Sequence, residues 1–186
     1  IKGNFAINEA KYGLIYNNKN ATINKIEGLF VDNSGYAVSN RGIIKSILAD
    51  FIKTGGINND GGTITNIVGD FIKSSIYNDD GTINNIKGNF IESKISNLGG
   101  SIDKIEGTFT NGKGSSAYHT DAMLYNSGYS SNQNLIKLIL ADFIANQGGG
   151  IANIYGGITD IIGTFVGNSI ISGGTSNTYG GSGAFG

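Results

Sequence analysis

The residues best suited to recognition cluster in one segment between positions 109 and 136. The segment carries the chain's only His, one Asp and three Tyr: Tyr118, His119, Asp121, Tyr125 and Tyr129. Tyr rings are rigid and amphipathic, so they suit stacking on sugars or contact with a protein. We expect a ligand-binding loop here. The alternative is an insertion that the fold tolerates and whose aromatic residues have no role.

A second candidate for chemistry is a set of acidic residues placed just before Phe residues. Asp50, Asp70 and Asp142 occupy this position. If Asp50 and Asp70 lie on successive coils, their carboxylates are about 5 Å apart, a separation that suits a retaining glycosidase or a Ca²⁺ ion. Lys53 and Lys73 follow three residues after the two acids and are placed to neutralise them. We therefore predict no catalytic residue, and keep a carbohydrate-active enzyme as an alternative.

Two Asx-Gly stretches look like calcium loops at first sight. Residues 59–62 read Asn-Asp-Gly-Gly and residues 78–81 read Asn-Asp-Asp-Gly. Neither has the spacing of an EF-hand or of the acidic nonapeptide repeat. We interpret both as turns, and we predict no metal site and no cofactor.

The elements that position these residues are set by an internal repeat of the form I-x-x-I-x-[GA]-x-F. Eight copies, the first truncated, end at Phe5, Phe30, Phe51, Phe71, Phe90, Phe109, Phe143 and Phe165. The intervals between these Phe residues are 25, 21, 20, 19, 19, 34 and 22 residues. The unit is therefore 19 or 20 residues long, and longer intervals contain insertions.

A second motif alternates with the first and consists of an apolar residue, any residue, and Asn. Its Asn residues are Asn17, Asn40, Asn59, Asn78, Asn97, Asn126 and Asn153. Stacked Asn amides can hydrogen-bond from one strand to the next at the strand spacing of about 4.8 Å. The pattern predicts a structural ladder, of which Asn40, Asn59, Asn78 and Asn97 lie in the most regular units.

These motifs predict an all-β fold, a parallel β-helix (β-solenoid) of about eight coils of 19–25 residues. Large residues two apart share one face of a strand, and stacking identical units buries their Ile and Phe side chains in ladders. The absence of Pro agrees, because every coil donates backbone hydrogen bonds. A small Gly or Ala two residues before each Phe is expected to leave room beside the ring. Propeller blades, sandwiches and leucine-rich repeats do not fit the period.

The repeat also defines the organisation of the chain. We predict one β-helix domain over residues 1–172, with an enlarged coil at 109–143. Residues 173–186 are rich in Gly and form either a tail or the start of a further coil. Because Ile1 begins within the pattern, we expect a mature fragment, an excised domain or part of a longer protein.

Composition excludes several classes of protein. The 186 residues include 31 Gly and no Cys, which excludes disulfide frameworks and Cys-based metal sites. Thirteen basic residues balance fourteen acidic ones, so no excess of positive charge indicates nucleic-acid binding. No apolar run approaches the roughly 20 residues of a membrane span.

The repeats resemble those of a known family. Phe-x-x-Asn occurs at Phe5–Asn8, Phe30–Asn33, Phe143–Asn146 and Phe165–Asn168, and Gly-Gly-Ile occurs at 55–57 and 149–151. Together they resemble the F-x-x-N and G-G-[AILV] repeats of polymorphic outer-membrane proteins and related bacterial autotransporter passengers, over residues 1–168. Four copies have another residue in place of Asn: Thr54, Ser74, Ser93 and Gly112.

The resemblance implies a right-handed β-helix at or outside the bacterial cell surface. It implies a non-enzymatic adhesin passenger or structural rod, with a host-cell protein or glycan as partner. One alternative is a subunit of an extracellular filament that associates end to end through exposed strand edges. The other alternative is the β-helix carbohydrate-active enzyme considered above.

Overall fold

The structure is a computed structural model that describes residues 1–6, 13–113, 121–128, 135–168 and 183–185. The protein is all-β, with parallel sheets stacked as a β-solenoid of about seven turns. The fold class predicted from the repeat is therefore confirmed. Among the described residues, no helix has both the length and the apolar character needed to cross a membrane.

One sheet is built from the I-x-x-I-x-[GA]-x-F repeats and contains eleven strands. Several coils contribute one long strand to it, and others contribute two shorter pieces. Its strands are β1 (Lys2–Ala6), β3 (Thr22–Ile23), β4 (Ile26–Val31), β6 (Ile43–Ile52), β8 (Thr63–Val68), β9 (Phe71–Ile72), β11 (Thr82–Ile91), β13 (Ser101–Thr110), β15 (Leu135–Ile144), β17 (Gly157–Ile162) and β18 (Phe165–Val166).

The second sheet is built from the apolar-x-Asn motifs and contains eight shorter strands. They are β2 (Ile15–Asn17), β5 (Val38–Asn40), β7 (Ile57–Asp60), β10 (Ile76–Asp79), β12 (Ile95–Leu98), β14 (Leu124–Ser127), β16 (Ile151–Ile154) and β19 (Gly183–Phe185). Pairing is parallel except for β19, which runs antiparallel to β16. A further coil would pair in parallel, so residues 183–185 do not continue the winding.

The interior is organised around a column of stacked Phe rings. Neighbouring rings from Phe5 to Phe165 have centroids 4.5–5.0 Å apart and lie within 3–11° of parallel. The six rings between the terminal two are fully buried. Strand register explains the stack, because each Phe is paired with the Phe of the next coil, as Phe71 is with Phe90.

A second ladder runs through the Asn residues of the short sheet. The Nδ2 group of each Asn donates to Oδ1 of the Asn in the next coil, from Asn17 to Asn153, at 2.7–2.8 Å. The same Nδ2 groups reach backbone carbonyls in the following turn, as Asn78 does to Gly81 at 3.0 Å. Buried amides are thus satisfied within the ladder, as burial of polar groups requires.

The Gly residues two positions before Phe were expected to leave room beside the ring, but the close contact at these positions is with the backbone of the previous coil. At Gly88 an added Cβ would overlap the carbonyl oxygen of Gly69 in the previous coil, and at Gly28 it would overlap Gly3. The ring is not the obstacle, because a Cβ on Gly3 meets the Phe5 ring at an ordinary 3.5 Å. Close approach of two backbones therefore requires Gly at positions such as Gly88.

A left-handed corner lies two residues after each repeat Phe from Phe30 to Phe165. Six non-Gly residues there have φ of 49–55°, and Gly167 has φ of 62°. The six residues are Asp32, Lys53, Lys73, Glu92, Asn111 and Ala145. L-residues adopt this conformation at a cost of roughly 1–2 kcal/mol, so the repeat keeps the corner geometry at an energetic disadvantage.

The residue after this corner is the Asn of F-x-x-N or its replacement. Asn146 Nδ2 donates to the Phe109 carbonyl at 3.0 Å, and Asn146 Oδ1 accepts from Gly112 N at 2.9 Å. Ser93 Oγ donates to the Phe71 carbonyl at 2.9 Å and accepts from Ser74 N at 3.0 Å. A Ser hydroxyl thus satisfies the same two backbone groups of the previous coil, which explains why the Asn is replaceable.

Ala145→Gly is expected to stabilise the protein by about 0.5–1 kcal/mol. Ala145 is exposed and has φ of 54°, so Gly relieves the left-handed strain, and the gain exceeds the entropic cost of Gly. The matched control is Ala141→Gly, because Ala141 is buried (3% exposed) and has no positive φ. It should destabilise by a similar amount. Urea denaturation measures both, and a lower midpoint for Ala145→Gly would contradict the assignment of strain.

The enlarged coil keeps the strand pairing of its neighbours on both sides of its two insertions. Strand β14 pairs with β12 with Asn97 opposite Asn126, and β15 pairs with β13 with Phe109 opposite Phe143. The ladders therefore pass through this coil without a shift of register. The extra residues lie between β13 and β14 and between β14 and β15.

Candidate functional site

The middle residues of the apolar-x-Asn motifs form one outward-facing row on the short sheet. Pairing places them side by side in the order Tyr16, Ser39, Asn58, Tyr77, Ser96 and Tyr125. Their neighbours in each strand, such as Val38 and Asn40, are buried. The alternation of a strand therefore points the row away from the core. Its members differ in exposure, because Tyr16 is 48% exposed whereas Ser39 and Ser96 are buried.

A surface groove lies over the start of this row. We call it the tyrosine groove; its volume is about 530 Å³, and its lining residues are Tyr16, Tyr36, Ser39, Asn40, Arg41, Asn58 and Asp60. Strands β2, β5 and β7 supply all of these except Tyr36 and Arg41, which lie just before and just after β5. Three successive coils thus build the groove, and its shape depends on their register.

An ion pair fixes the polar side of the tyrosine groove. Arg41 Nε donates to Asp60 Oδ2 at 2.6 Å, and Nη2 of Arg41 is 2.5 Å from the same oxygen. The Asp60 contact, aided by a smaller one with Tyr16, raises the pKa of Arg41. About half of the Arg41 side chain (54%) and 41% of the Asp60 side chain stay exposed, so the pair is positioned and still accessible to a ligand.

Tyr36 forms the aromatic wall between this groove and its neighbour. Its ring meets Tyr77 edge to face, with centroids 5.8 Å apart and an interplanar angle of 74°. Burial, and then the nearby Tyr77 and Asp79, raise the pKa of Tyr36. The phenol is therefore neutral at physiological pH and can both donate and accept a hydrogen bond. Tyr36 and Tyr77 also line a second groove of about 440 Å³ on the other side.

The acidic residues considered for catalysis are bonded to the backbone of the next coil. Asp50 Oδ1 accepts from Asp70 N at 2.9 Å, and Asp70 Oδ1 accepts from Asn89 N at 3.0 Å. Asp142 Oδ1 accepts from the hydroxyl and the backbone N of Thr164, and these bonds lower the pKa of Asp142. Each carboxylate therefore has a structural partner.

The lysines expected to neutralise these acids pair elsewhere. Lys53 Nζ lies 3.6 Å from Asp32, and Lys73 Nζ lies 3.7 Å from Glu92. These partners are at the left-handed corner, two residues after Phe, because Lys53 and Lys73 occupy that corner themselves. The expected neutralisation of Asp50 by Lys53 is therefore wrong.

The two Asx-Gly stretches bring three carboxylates near one another without forming a metal cluster. Burial, and then Asp80 and Asp60, raise the pKa of Asp79. No group of three or more potential metal-ligating side chains is present in the part of the chain that the structure describes. These stretches end at Gly62 and Gly81, where a Cβ would overlap Nδ2 of an Asn in the ladder. The two Gly residues therefore let the turn pack against the ladder, which agrees with the interpretation of both stretches as turns.

Two of the five predicted loop residues can be placed. Asp121 lies just before β14 and lines a third groove, of about 300 Å³, together with Glu92, Lys94 and Lys113 among others. Tyr125 lies in β14 and belongs to the outward-facing row. Tyr118, His119 and Tyr129 lie outside the described residues, so the loop hypothesis stays a prediction.

Sequence reasoning did not select Tyr16, Tyr36 or Arg41, and it interpreted Asp60 only as part of a turn. The available signal was the middle position of the apolar-x-Asn motif, where Tyr recurs at 16, 77 and 125. We interpreted that motif only through its Asn.

The comparisons with known proteins add no relative to this description. No family model, curated protein or solved structure matches the chain.

Proposed function

We propose that the chain is a non-enzymatic extracellular bacterial protein in which the solenoid acts as a rigid adhesin rod. The carrying observation is the unbroken Phe stack, which joins every coil from Phe5 to Phe165. The cell-surface location is supported by the resemblance of the repeats to autotransporter passengers.

The stack and the Asn ladder support the mechanical part of the proposal. Eight rungs of the long sheet at about 4.8 Å spacing make a rod about 34 Å long. Each rung is held to the next by ring stacking, buried amides and backbone bonds. Bending the rod would disturb the ring stacking, the amide ladder and the backbone hydrogen bonds together. The rod therefore holds a binding site on its surface at a fixed distance and orientation.

The tyrosine groove supports the binding part. Exposed aromatic and polar side chains on a rigid scaffold are a common arrangement for recognition. Tyr16 is 48% exposed and lies beside the Arg41–Asp60 pair. The acids that suggested a hydrolase are bonded to the backbone, which favours a binding protein over an enzyme.

Surface display tests the proposal. The chain is fused to a carrier barrel on a non-adherent laboratory bacterium, and cells attached to epithelial monolayers are counted at equal surface level, checked by flow cytometry. We expect attachment above that of the carrier alone. Attachment equal to the carrier would contradict the adhesin function.

Two variants locate the contact. Tyr16→Ala with Arg41→Ala should reduce attachment, because it removes one wall and the ion pair of the groove. Deletion of residues 114–120 tests the loop hypothesis in the same assay. Tyr155→Ala is the control, because Tyr155 is 66% exposed and does not line the groove.

A further inference from the structure

The row of tyrosines extends beyond the tyrosine groove along the rod. By register, Tyr77 is three strands from Tyr16, and Tyr125 is two strands from Tyr77. At about 4.8 Å per strand, these Tyr residues are about 14 Å and 10 Å apart. Ser39, Asn58 and Ser96 separate them, and of these Ser39 and Ser96 are buried while Asn58 is half-buried. A ligand that contacts several of these rings must therefore be extended and lie along the axis.

The charges around the groove disfavour an anionic ligand. Among the described residues that line it, Arg41 carries the one positive charge, and Asp60 already compensates that charge. Asp79 lies close enough to Tyr36 and to Asp60 to take part in the pKa shifts described above. A phosphate or uronate chain would meet no uncompensated positive charge among the described lining residues, whereas an uncharged ligand needs no such charge.

The remaining groups suit the apolar face and the hydroxyl groups of a pyranose ring. An exposed Tyr ring offers an apolar face to the C–H groups of a sugar. The Arg41–Asp60 pair offers charged donors and acceptors to hydroxyl groups, and such hydrogen bonds are stronger than neutral ones. The half-buried amide of Asn58 adds both a donor and an acceptor.

We propose that the tyrosine groove binds a linear, uncharged oligosaccharide that lies along the solenoid axis. Tyr16 stacks on one pyranose ring, and the Arg41–Asp60 pair holds the hydroxyl groups of that sugar or its neighbour. Beyond the groove, the chain passes over the Tyr36–Tyr77 pair that bounds it, and Tyr77 and Tyr125 extend the contact to further sugars. The inference rests on the proposed binding function, for which it names the ligand class.

Calorimetric titration of the full chain tests the inference. The probes are cellohexaose, xylohexaose and chitohexaose as uncharged chains, and hexagalacturonate as a charged one. We expect saturable binding of at least one uncharged hexasaccharide and none of hexagalacturonate. Absence of binding for all three uncharged probes at millimolar concentration would overturn the inference.

Variants assign the binding to the groove. Tyr16→Ala should weaken binding about tenfold through loss of stacking, while Tyr155→Ala should leave it unchanged. Asp60→Asn leaves Arg41 uncompensated, so it should weaken uncharged probes and allow hexagalacturonate to bind. Circular dichroism confirms that each variant is folded. An equal loss in Tyr155→Ala and Tyr16→Ala would overturn the assignment.

The outcomes separate the ligand class from the function. If displayed cells attach and no hexasaccharide binds, the glycan inference fails and the adhesin proposal stands. If neither occurs, both fail.

Discussion

Replacing Asn78 with Asp is expected to lower the free energy of unfolding by about 3–5 kcal/mol. Asn78 is fully buried, and its Nδ2 donates to Asn97 Oδ1 at 2.7 Å, to Gly81 O at 3.0 Å and to Ser101 O at 3.2 Å. The variant places a carboxylate oxygen against three acceptors. Urea denaturation at neutral pH measures the loss.

The control is the same substitution in an exposed Asn pair. Asn85 Nδ2 donates to Asn66 Oδ1 at 3.1 Å on the surface, so Asn85→Asp should change stability by less than about 0.5 kcal/mol. Lowering the pH protonates the new carboxyl at position 78, which then donates a hydrogen bond. The deficit relative to the unmodified protein should shrink in acid. Equal losses in the two variants would contradict the ladder's importance.

Phe90→Ala is expected to destabilise the protein by about 3–5 kcal/mol. Phe90 is fully buried and stacks on two rings, Phe71 at 5.0 Å and Phe109 at 4.5 Å. The neighbouring rings cannot close the gap, because strand pairing fixes both of them. The cavity therefore remains, and thermal or urea unfolding reports its cost.

Phe5→Ala is the matched comparison for this substitution. Phe5 is partly buried and stacks on Phe30 at 4.8 Å. Its removal should cost clearly less than that of Phe90, since less of the ring leaves contact with the protein. A cost as large as that of Phe90→Ala would show that position in the stack does not matter.

The ladders could be predicted from sequence because each position has one physical requirement that every coil repeats. An inward Phe must meet another Phe, and a buried Asn must meet another Asn. Because this requirement recurs in every coil, the regular spacing of Phe and Asn can be recognised in the sequence, even across the insertions after Phe109. The enlarged coil keeps its register for the same reason, since Asn126 and Phe143 still occupy their rungs.

The groove could not be predicted as a whole because Tyr36 and Arg41 do not recur in the repeat, although Tyr recurs at the position of Tyr16. Arg41 and Asp60 occupy equivalent positions in consecutive coils, yet one is basic and the other acidic. Tyr36 lies in the turn before β5, and the connection of the same length before β16 has Gly149 at the corresponding position. Such residues form a site only with neighbours about 20 positions away in the sequence. The winding of the chain brings these neighbours into contact.

The backbone requirements were also hidden in the sequence. Lys73 and Ala145 share no side-chain property, although both adopt the left-handed corner. The need for Gly at 88 arises from the carbonyl of Gly69 in another coil, and composition alone does not reveal which atom is too close.

Competition for attachment tests the account most directly. Bacteria that display the chain are applied to epithelial monolayers with and without a saturating amount of the hexasaccharide that binds best. The account predicts that the sugar reduces attachment to the level of the carrier alone, and that Tyr16→Ala cells attach weakly without it. Attachment that neither the sugar nor Tyr16→Ala reduces would contradict it.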